Sequence, residues 1–272
     1  MVGLIIIKRF YRKMTLSRIQ EEKILQLLRT KMEEKIMHYS RETTSMPFMT
    51  RLVQDDELVA SFSFMISLAT TLGQSIYEKV AEIVASERSE ESISHVKIGG
   101  SISPARKKII GEIMNSLRNG EKLPDRKKES HQILSASNTN AAFQKEGNIA
   151  DFYMKRNGQE YYFEIKTVKP NIDVFTASKK KVLEWVAIKN KEIKSIVALP
   201  YNPYAPEPYE RFTEQNLLDR KEEFMVGDEF WDFLGGKGTY EQLLKLFEIV
   251  GVEYKTKLHQ MLKDASKKVG KF

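Results

Sequence analysis

The chain has 272 residues, enough to bury a sizeable core as one large domain or two small ones. It has no cysteine, which excludes disulfides, thiolate-ligated zinc and a cysteine nucleophile; its net charge of +7 and pI near 9.2 favour a polyanionic partner. No apolar run reads as long enough to span a membrane, and Leu4-Ile5-Ile6-Ile7 lacks the basic segment that precedes a signal peptide's apolar stretch, so a cytoplasmic protein with no membrane partner is expected.

Residues 1–13 read either as an upstream-start extension or as a small N-terminal strand before Met14-Thr15-Leu16-Ser17. Residues 17–39 have helical periodicity, with Ile19, Ile24, Leu27, Leu28 and Ile36 on one side and Ser17 as N-cap. Arg41 to Pro47 reads as a linker. Asp55 to Ser86 predicts one long helix, or two with a break near Gly73. Its second half puts Glu78 and Glu82 on one face, four residues apart.

Ser103-Pro104 starts a helix that ends before Gly120. Arg106-Lys107-Lys108 places cations in its first turn, against the helix dipole; a bound phosphate or plain solvent exposure would relieve this. Arg126-Lys127-Lys128 reads as part of a polar loop. Ser135 to Asn140 is a loop of hydrogen-bonding side chains, suited either to DNA contacts through Asn138 and Asn140 or to turns with capped backbone groups. The four histidines, His38, His95, His131 and His259, are scattered without metal-ligand spacing and read as surface or packing residues.

The most informative segment runs from Asn148 to Lys166. Asn157-Gly158 is a strong signal for a two-residue hairpin turn, and both flanks are rich in Phe and Tyr, which suit strands. A two-residue turn pairs Arg156 with Gln159, Tyr153 with Tyr162 and Phe152 with Phe163, and so sets Asp151 opposite Glu164. Lys166 follows on the same face. Directly opposed side chains have Cβ atoms roughly 5 Å apart, where like charges destabilise. Two carboxylates, a lysine and the Ile165 carbonyl make the hard oxygen site that Mg²⁺ prefers. Phe152, Met154, Tyr161, Phe163 and Ile165 lie on the opposite face, which gives a sheet with one buried face and one reactive edge.

After Pro170, a helix capped by Thr176 or Ser178 is expected to run to about Asn190, with Lys179, Lys180 and Lys181 on it. Ile196-Val197-Ala198-Leu199 reads as a buried strand, parallel to the Glu164 strand because the helix must cross between them. Tyr201 to Tyr209 is a Pro/Tyr loop, and residues 213–234 and 239–268 read as helices separated by a glycine-rich turn.

An Asp on one strand and Glu-x-Lys on the next resemble the PD-(D/E)XK nuclease superfamily; Ala150 stands where that motif often has Pro, at a position that is not a ligand. Leu72-Gly73-Gln74-Ser75-Ile76-Tyr77-Glu78, Phe163-Glu164-Ile165-Lys166-Thr167 with Lys169-Pro170-Asn171, and Leu199-Pro200-Tyr201-Asn202-Pro203-Tyr204 are similar to the type II restriction endonucleases of the TdeIII type, which cleave GGNCC.

The resemblance implies an α/β (α+β) fold with a mixed central sheet. It covers roughly residues 50 to 210; the chain as a whole reads as a single nuclease domain over residues 1–272, with an N-terminal helical extension (1–50), a catalytic core (51–210) and a C-terminal helical region (211–272). The resemblance also implies magnesium-dependent hydrolysis of double-stranded DNA by Asp151, Glu164 and Lys166, with Asp151, Glu164 and Ile165 as metal ligands. Glu78 matches the glutamate many members carry on the preceding helix, with Glu82 second; a solvated carboxylate beside Lys79 is the plain alternative. Lys169, Asn171, Asp173, Lys179 and Lys180 are the nearest candidates to contact DNA. A homodimer and a cognate DNA methyltransferase are the implied partners. A repair or recombination nuclease of the same fold, and a non-catalytic DNA-binding protein, are the rival readings.

Overall fold

A computed structural model describes residues 15–39, 46–143, 149–167, 170–210 and 216–269. Residues 1–13 and Lys169 therefore lie outside the described residues.

The chain builds a five-stranded mixed sheet between two layers of helices, as the α/β reading expected. Helix α1 (Arg18–Tyr39) opens with a capping box: Ser17 Oγ accepts from Gln20 N–H, and the Gln20 side chain accepts from Ser17 N–H. Ile24, Leu28 and Ile36 face inward, but Ile19, expected on that stripe, is exposed in the first turn. A short helix, α2 (Pro47–Val53), follows.

Next come α3 (Asp56–Thr71), a π-helical turn (Leu72–Ile76) and α4 (Tyr77–Ala85). The break anticipated near Gly73 is this π turn, so the chain stays helical throughout. Read as one run of 30 residues, Asp56–Ala85 is long and apolar enough by length and composition to cross a membrane, contrary to the statement above. In this fold its second half is core: Ile76, Val80, Ala81 and Val84 are buried beneath the sheet.

Strand β1 (Glu91–Lys97) was not anticipated, and neither was the two-residue pairing of β2 (Ser101–Ile102) with β3 (Ala142–Phe143). Helix α5 (Pro104–Arg118) has the expected Ser103 cap and Gly120 in the left-handed region beyond its end. Helix α6 (Arg126–Ser135) replaces the expected polar loop, because Asp125 caps it and Arg126 turns inward. Arg106 also turns inward. Its guanidinium donates to the Ala187 carbonyl and to Asn190 Oδ1, at the end of the helix that follows the hairpin.

Strands β4 (Ile149–Arg156) and β5 (Gln159–Ile165) form the hairpin in the expected register, from Arg156↔Gln159 to Phe152↔Phe163. Asn157 and Gly158 both have positive φ, 52° and 73°. Alanine at position 158 would hold that conformation against its Cβ, so Gly158→Ala is expected to cost about 1 kcal/mol in urea unfolding. An unchanged midpoint would show that the turn tolerates a side chain.

Helix α7 (Ile172–Lys189) begins a turn earlier than expected, because Asn171 rather than Thr176 or Ser178 caps it. Strand β6 (Lys194–Leu199) then returns parallel to β5. Residues 224–226 form β7 (Phe224–Val226), parallel to β6, where a helix was expected; α8 (Asp228–Gly235) and α9 (Thr239–Val269) follow.

The sheet order is β1-β4-β5-β6-β7. Phe152, Met154, Phe163 and Ile165 pack on α1, α4, α8 and α9. The opposite face is covered as well: Tyr153 and Tyr162 pack against α5 and α7. The sheet is therefore buried on both sides, and only the strand ends beyond Tyr153 and Tyr162 are left for chemistry.

Candidate active site

Asp151 and Glu164 lie on the α7 face of the sheet, on adjacent strands, one position beyond the last paired residues of the hairpin. The Asp151 carboxylate accepts the Ile165 N–H at 2.7 Å. Lys166 N–H donates the other way, to the Ala198 carbonyl on β6. The end of β5 is thus fixed from both sides, which aims Glu164 and Lys166 into one space. The Lys166 ammonium meets Glu164 Oε1 at 2.5 Å, and Glu164 is only 3% exposed.

Glu78 arrives from the opposite layer. A π turn holds one residue more than an α turn, so it rotates everything after it by about 100°. The turn also needs close approach: a Cβ on Gly73 would stand 2.6 Å from the Thr167 methyl, just past Lys166. Glu78 is buried, and its Oε2 lies 2.5 Å from His95 Nδ1. Ser94 pairs with Phe152 and Val96 with Ala150, so His95 takes the position facing Asp151. His95 holds φ at 57°, a conformation that costs a β-carbon-bearing residue energy and recurs at functional sites. Glu82, the second choice, instead binds Ser94 through its backbone N–H and hydroxyl and ties α4 to β1.

The site also holds a lysine that the sequence placed on the following helix without assigning it to the site. Lys181 on α7 contacts Glu164 Oε2, and its ammonium lies 5.5 Å from the Trp185 ring centre. Glu164 is therefore held between two ammonium groups. Three carboxylates, two lysines and a histidine share the space.

Their mutual effects are large. Burial, and then the charge of Asp151, push Glu78 up to about 7, against the pull of His95. Burial and then Glu164 raise Asp151, against Lys181 and Lys166. Burial pulls Lys166 down, but Glu164, Asp151 and Glu78 outweigh it and hold its pKa above the ordinary lysine value. Lys166 thus stays an ammonium at neutral pH.

A raised carboxyl pKa destabilises the fold once the group ionises. The penalty is absent below the unfolded value and grows as pH rises from about 4.5 to about 7. Glu78→Gln should therefore stabilise the metal-free protein at pH 8, by on the order of 1–3 kcal/mol, and change little near pH 4. Thermal unfolding across that range checks this; a gap independent of pH would show that Glu78 is not strained by its charge.

Hard oxygen donors crowded to the point of raised pKa suit a divalent cation. Among the described residues, however, no three His, Asp or Glu side chains form a ready metal cluster. Each carboxylate is already engaged: Asp151 by Ile165 N–H, Glu164 by two lysines and Glu78 by His95. The donor set fits a metal provided that at least one of these contacts exchanges.

The other expected DNA contacts separate into different roles. Lys179 is fully buried, between Glu129 and Glu223 at 2.5 Å each, and presents no surface to a phosphate. Asn171 caps α7. Asp173, in the first turn of α7, faces Arg118 at 3.8 Å and is exposed. Lys180 is exposed beside Glu184, and Asn138 and Asn140 are exposed in the loop before β3.

The chain that carries this hairpin-borne cluster, at the edge of a helix-covered mixed sheet, falls in a family of restriction endonucleases. A family model described as "Type II restriction endonuclease, HinfI" matches residues 16–251, and the chain belongs to that family. It is similar to the type II restriction enzyme MjaII of Methanocaldococcus jannaschii, 30% identical over 200 residues that cover 67% of this chain and 53% of the relative. It is also similar to the type II restriction enzymes HgiEI and HgiBI of Herpetosiphon aurantiacus, each 27% identical over 209 residues that cover 73% of this chain and 75% of the relative. The match thus spans about half of MjaII and three quarters of the Herpetosiphon enzymes. No solved structure matches the chain.

Proposed function

We propose that the protein is a type II site-specific deoxyribonuclease of the PD-(D/E)XK superfamily, which hydrolyses phosphodiester bonds of double-stranded DNA with Mg²⁺. The observation that carries this is the convergence of Asp151, Glu164 and Lys166 at the end of two adjacent strands, in a chain of the HinfI family. Asp151, Glu164 and the Ile165 carbonyl would hold the metal, with Glu78 as a further ligand. Bound there, the metal would lower the pKa of the attacking water and offset charge on the scissile phosphate.

The protein's own groups do the rest. The Ile165 N–H orients Asp151. Lys166, kept cationic by its neighbours, orients the attacking water and stabilises the pentacovalent phosphorus. Lys180, Asp173, Asn138 and Asn140 are the exposed candidates for DNA contact, with Asn171 beside them and Lys169 outside the described residues. The site proposed is short and palindromic, and the TdeIII-type resemblance suggests GGNCC. A palindrome is read by a two-fold dimer. Phe48, Leu52, Leu58 and Met65, exposed on α2 and α3, give a second copy of the chain apolar surface to bury. Residues 1–272 are read as one nuclease domain of a cytoplasmic enzyme, with a cognate methyltransferase protecting the host site.

Digestion of unmethylated plasmid DNA with Mg²⁺ tests the reading. Discrete bands whose sequenced ends share one palindrome are expected. A smear would point instead to a nuclease that cuts by structure or at random, and no cleavage with salt-sensitive binding to a non-catalytic DNA-binding protein.

A further inference from the structure

We propose that Lys181 is a built-in counter-ion that competes with the divalent cation for Glu164: its ammonium neutralises the carboxylates in the metal-free protein and leaves Glu164 when the metal binds. This deepens the reading above, because it rests on Asp151 and Glu164 as metal ligands.

The two lysines on Glu164 are not equivalent. Lys166 lies two residues beyond Glu164, and its backbone is held there by the N–H bond to the Ala198 carbonyl, so the side chain starts at the site itself. Lys181 reaches in from a separate element, on a long side chain that retains 22% exposure. It takes the other carboxylate oxygen, Oε2, and so blocks the one part of Glu164 that Lys166 leaves open. Its hold does not rest on Glu164 alone: the Trp185 ring, four residues along the same helix, already lies 5.5 Å from the ammonium, a cation–π contact that does not involve the carboxylate.

The charges give the reason for such a device. Asp151 and Glu164 lie side by side at the strand ends, Glu78 joins them through His95, Lys166 is the other lysine at Glu164, and Glu78 and Glu164 are almost fully buried. Lys181 contacts Glu164, which lies beside Asp151 on the adjacent strand end, so its charge falls on both motif carboxylates. A metal that enters must displace it, which lowers metal affinity but keeps the empty site folded.

The test is Mn²⁺ titration of the full chain by calorimetry, without DNA, for wild type, Lys181→Met, Lys181→Gln and Lys181→Arg, with the metal-free Tm of each. Removing the charge should tighten Mn²⁺ binding at least tenfold in both Met and Gln variants, lower the metal-free Tm and enlarge the Tm rise on adding Mn²⁺. Arg should behave as wild type. A merely structural lysine would leave metal affinity unchanged or weaken it, and either result in Met and Gln would overturn the proposal. The Gln variant, which can still hydrogen-bond Glu164, keeps the test decisive if Met fails to fold. A wild-type protein that binds no Mn²⁺ would overturn the metal reading and this inference with it. Binding by wild type that no variant tightens would overturn this inference alone.

Discussion

Asp151→Asn is expected to lower the rate of metal-dependent cleavage by at least about a thousandfold while raising the Tm of the metal-free protein. The first effect follows from the proposed place of Asp151 among the metal ligands, where preorganised electrostatics supply most of the acceleration; a single well-placed group is typically worth about 10²–10³ in rate, and a metal ligand more. The second follows from burial and the charge of Glu164, which raise the Asp151 pKa. The folded protein therefore pays for an ionised Asp151 at neutral pH, whereas asparagine keeps an oxygen for the Ile165 N–H without the charge. The stability gain should shrink as pH falls through the carboxylate range, where wild-type Asp151 is itself protonated. Single-turnover cleavage and thermal melts on one preparation check both. A variant that loses activity and stability together would mean that Asp151 is a structural carboxylate.

The second large effect lies away from the chemistry. Lys179→Met is expected to destabilise the protein by about 3–5 kcal/mol, because it leaves two buried glutamates without their shared cation. Glu129 and Glu223 both meet the Lys179 ammonium, and Arg126 alone, 3.5 Å from Glu223, would remain. Burial already raises the Glu129 pKa despite Lys179. Lys180→Ala, on the exposed neighbour, should change stability by no more than about 0.5 kcal/mol. Urea unfolding of the pair separates a buried network from a basic DNA-facing helix. A Lys179 variant that folds normally but binds DNA with a shallower salt slope would restore the phosphate-contact reading.

The difference between Lys179 and Lys180 shows where the sequence could be read and where it was misread. Lys179, Val182, Leu183 and Val186 are spaced as one helical stripe and are all buried, so the inward position of Lys179 was present in the spacing. What the spacing lacks is the partners: Glu129 and Glu223 lie 50 and 44 residues away. Lys181 was placed on the helix but not in the site, for the same reason. Its contact with Glu164 depends on how α7 crosses the sheet, whereas the DNA-contact candidates were taken by nearness in sequence to the hairpin.

The hairpin, by contrast, was legible residue by residue. A two-residue turn at Asn157-Gly158 fixes every pair above it, and an intervening helix makes β6 parallel. Local rules reached that far. They did not reach β1, whose Ser-Ile-Ser-His sequence has little apolar alternation and pairs only because β4 offers an edge. His95 was invisible with it. Neither did they reach α6, where a basic run forms a helix because Arg126 finds Ser195 and Glu223 across the fold. Glu78, placed ahead of Glu82 as the candidate, is the one the fold brings to His95, but its phase depends on a π turn that no periodicity announces.

The proposed function places a divalent metal on Asp151 and Glu164. The most direct measurement is anomalous scattering from crystals of the full chain grown with Mn²⁺. The expected result is a peak between the Asp151 and Glu164 carboxylates that disappears in Asp151→Asn. A peak elsewhere, with these carboxylates still bound to Ile165 N–H and the two lysines, would contradict it.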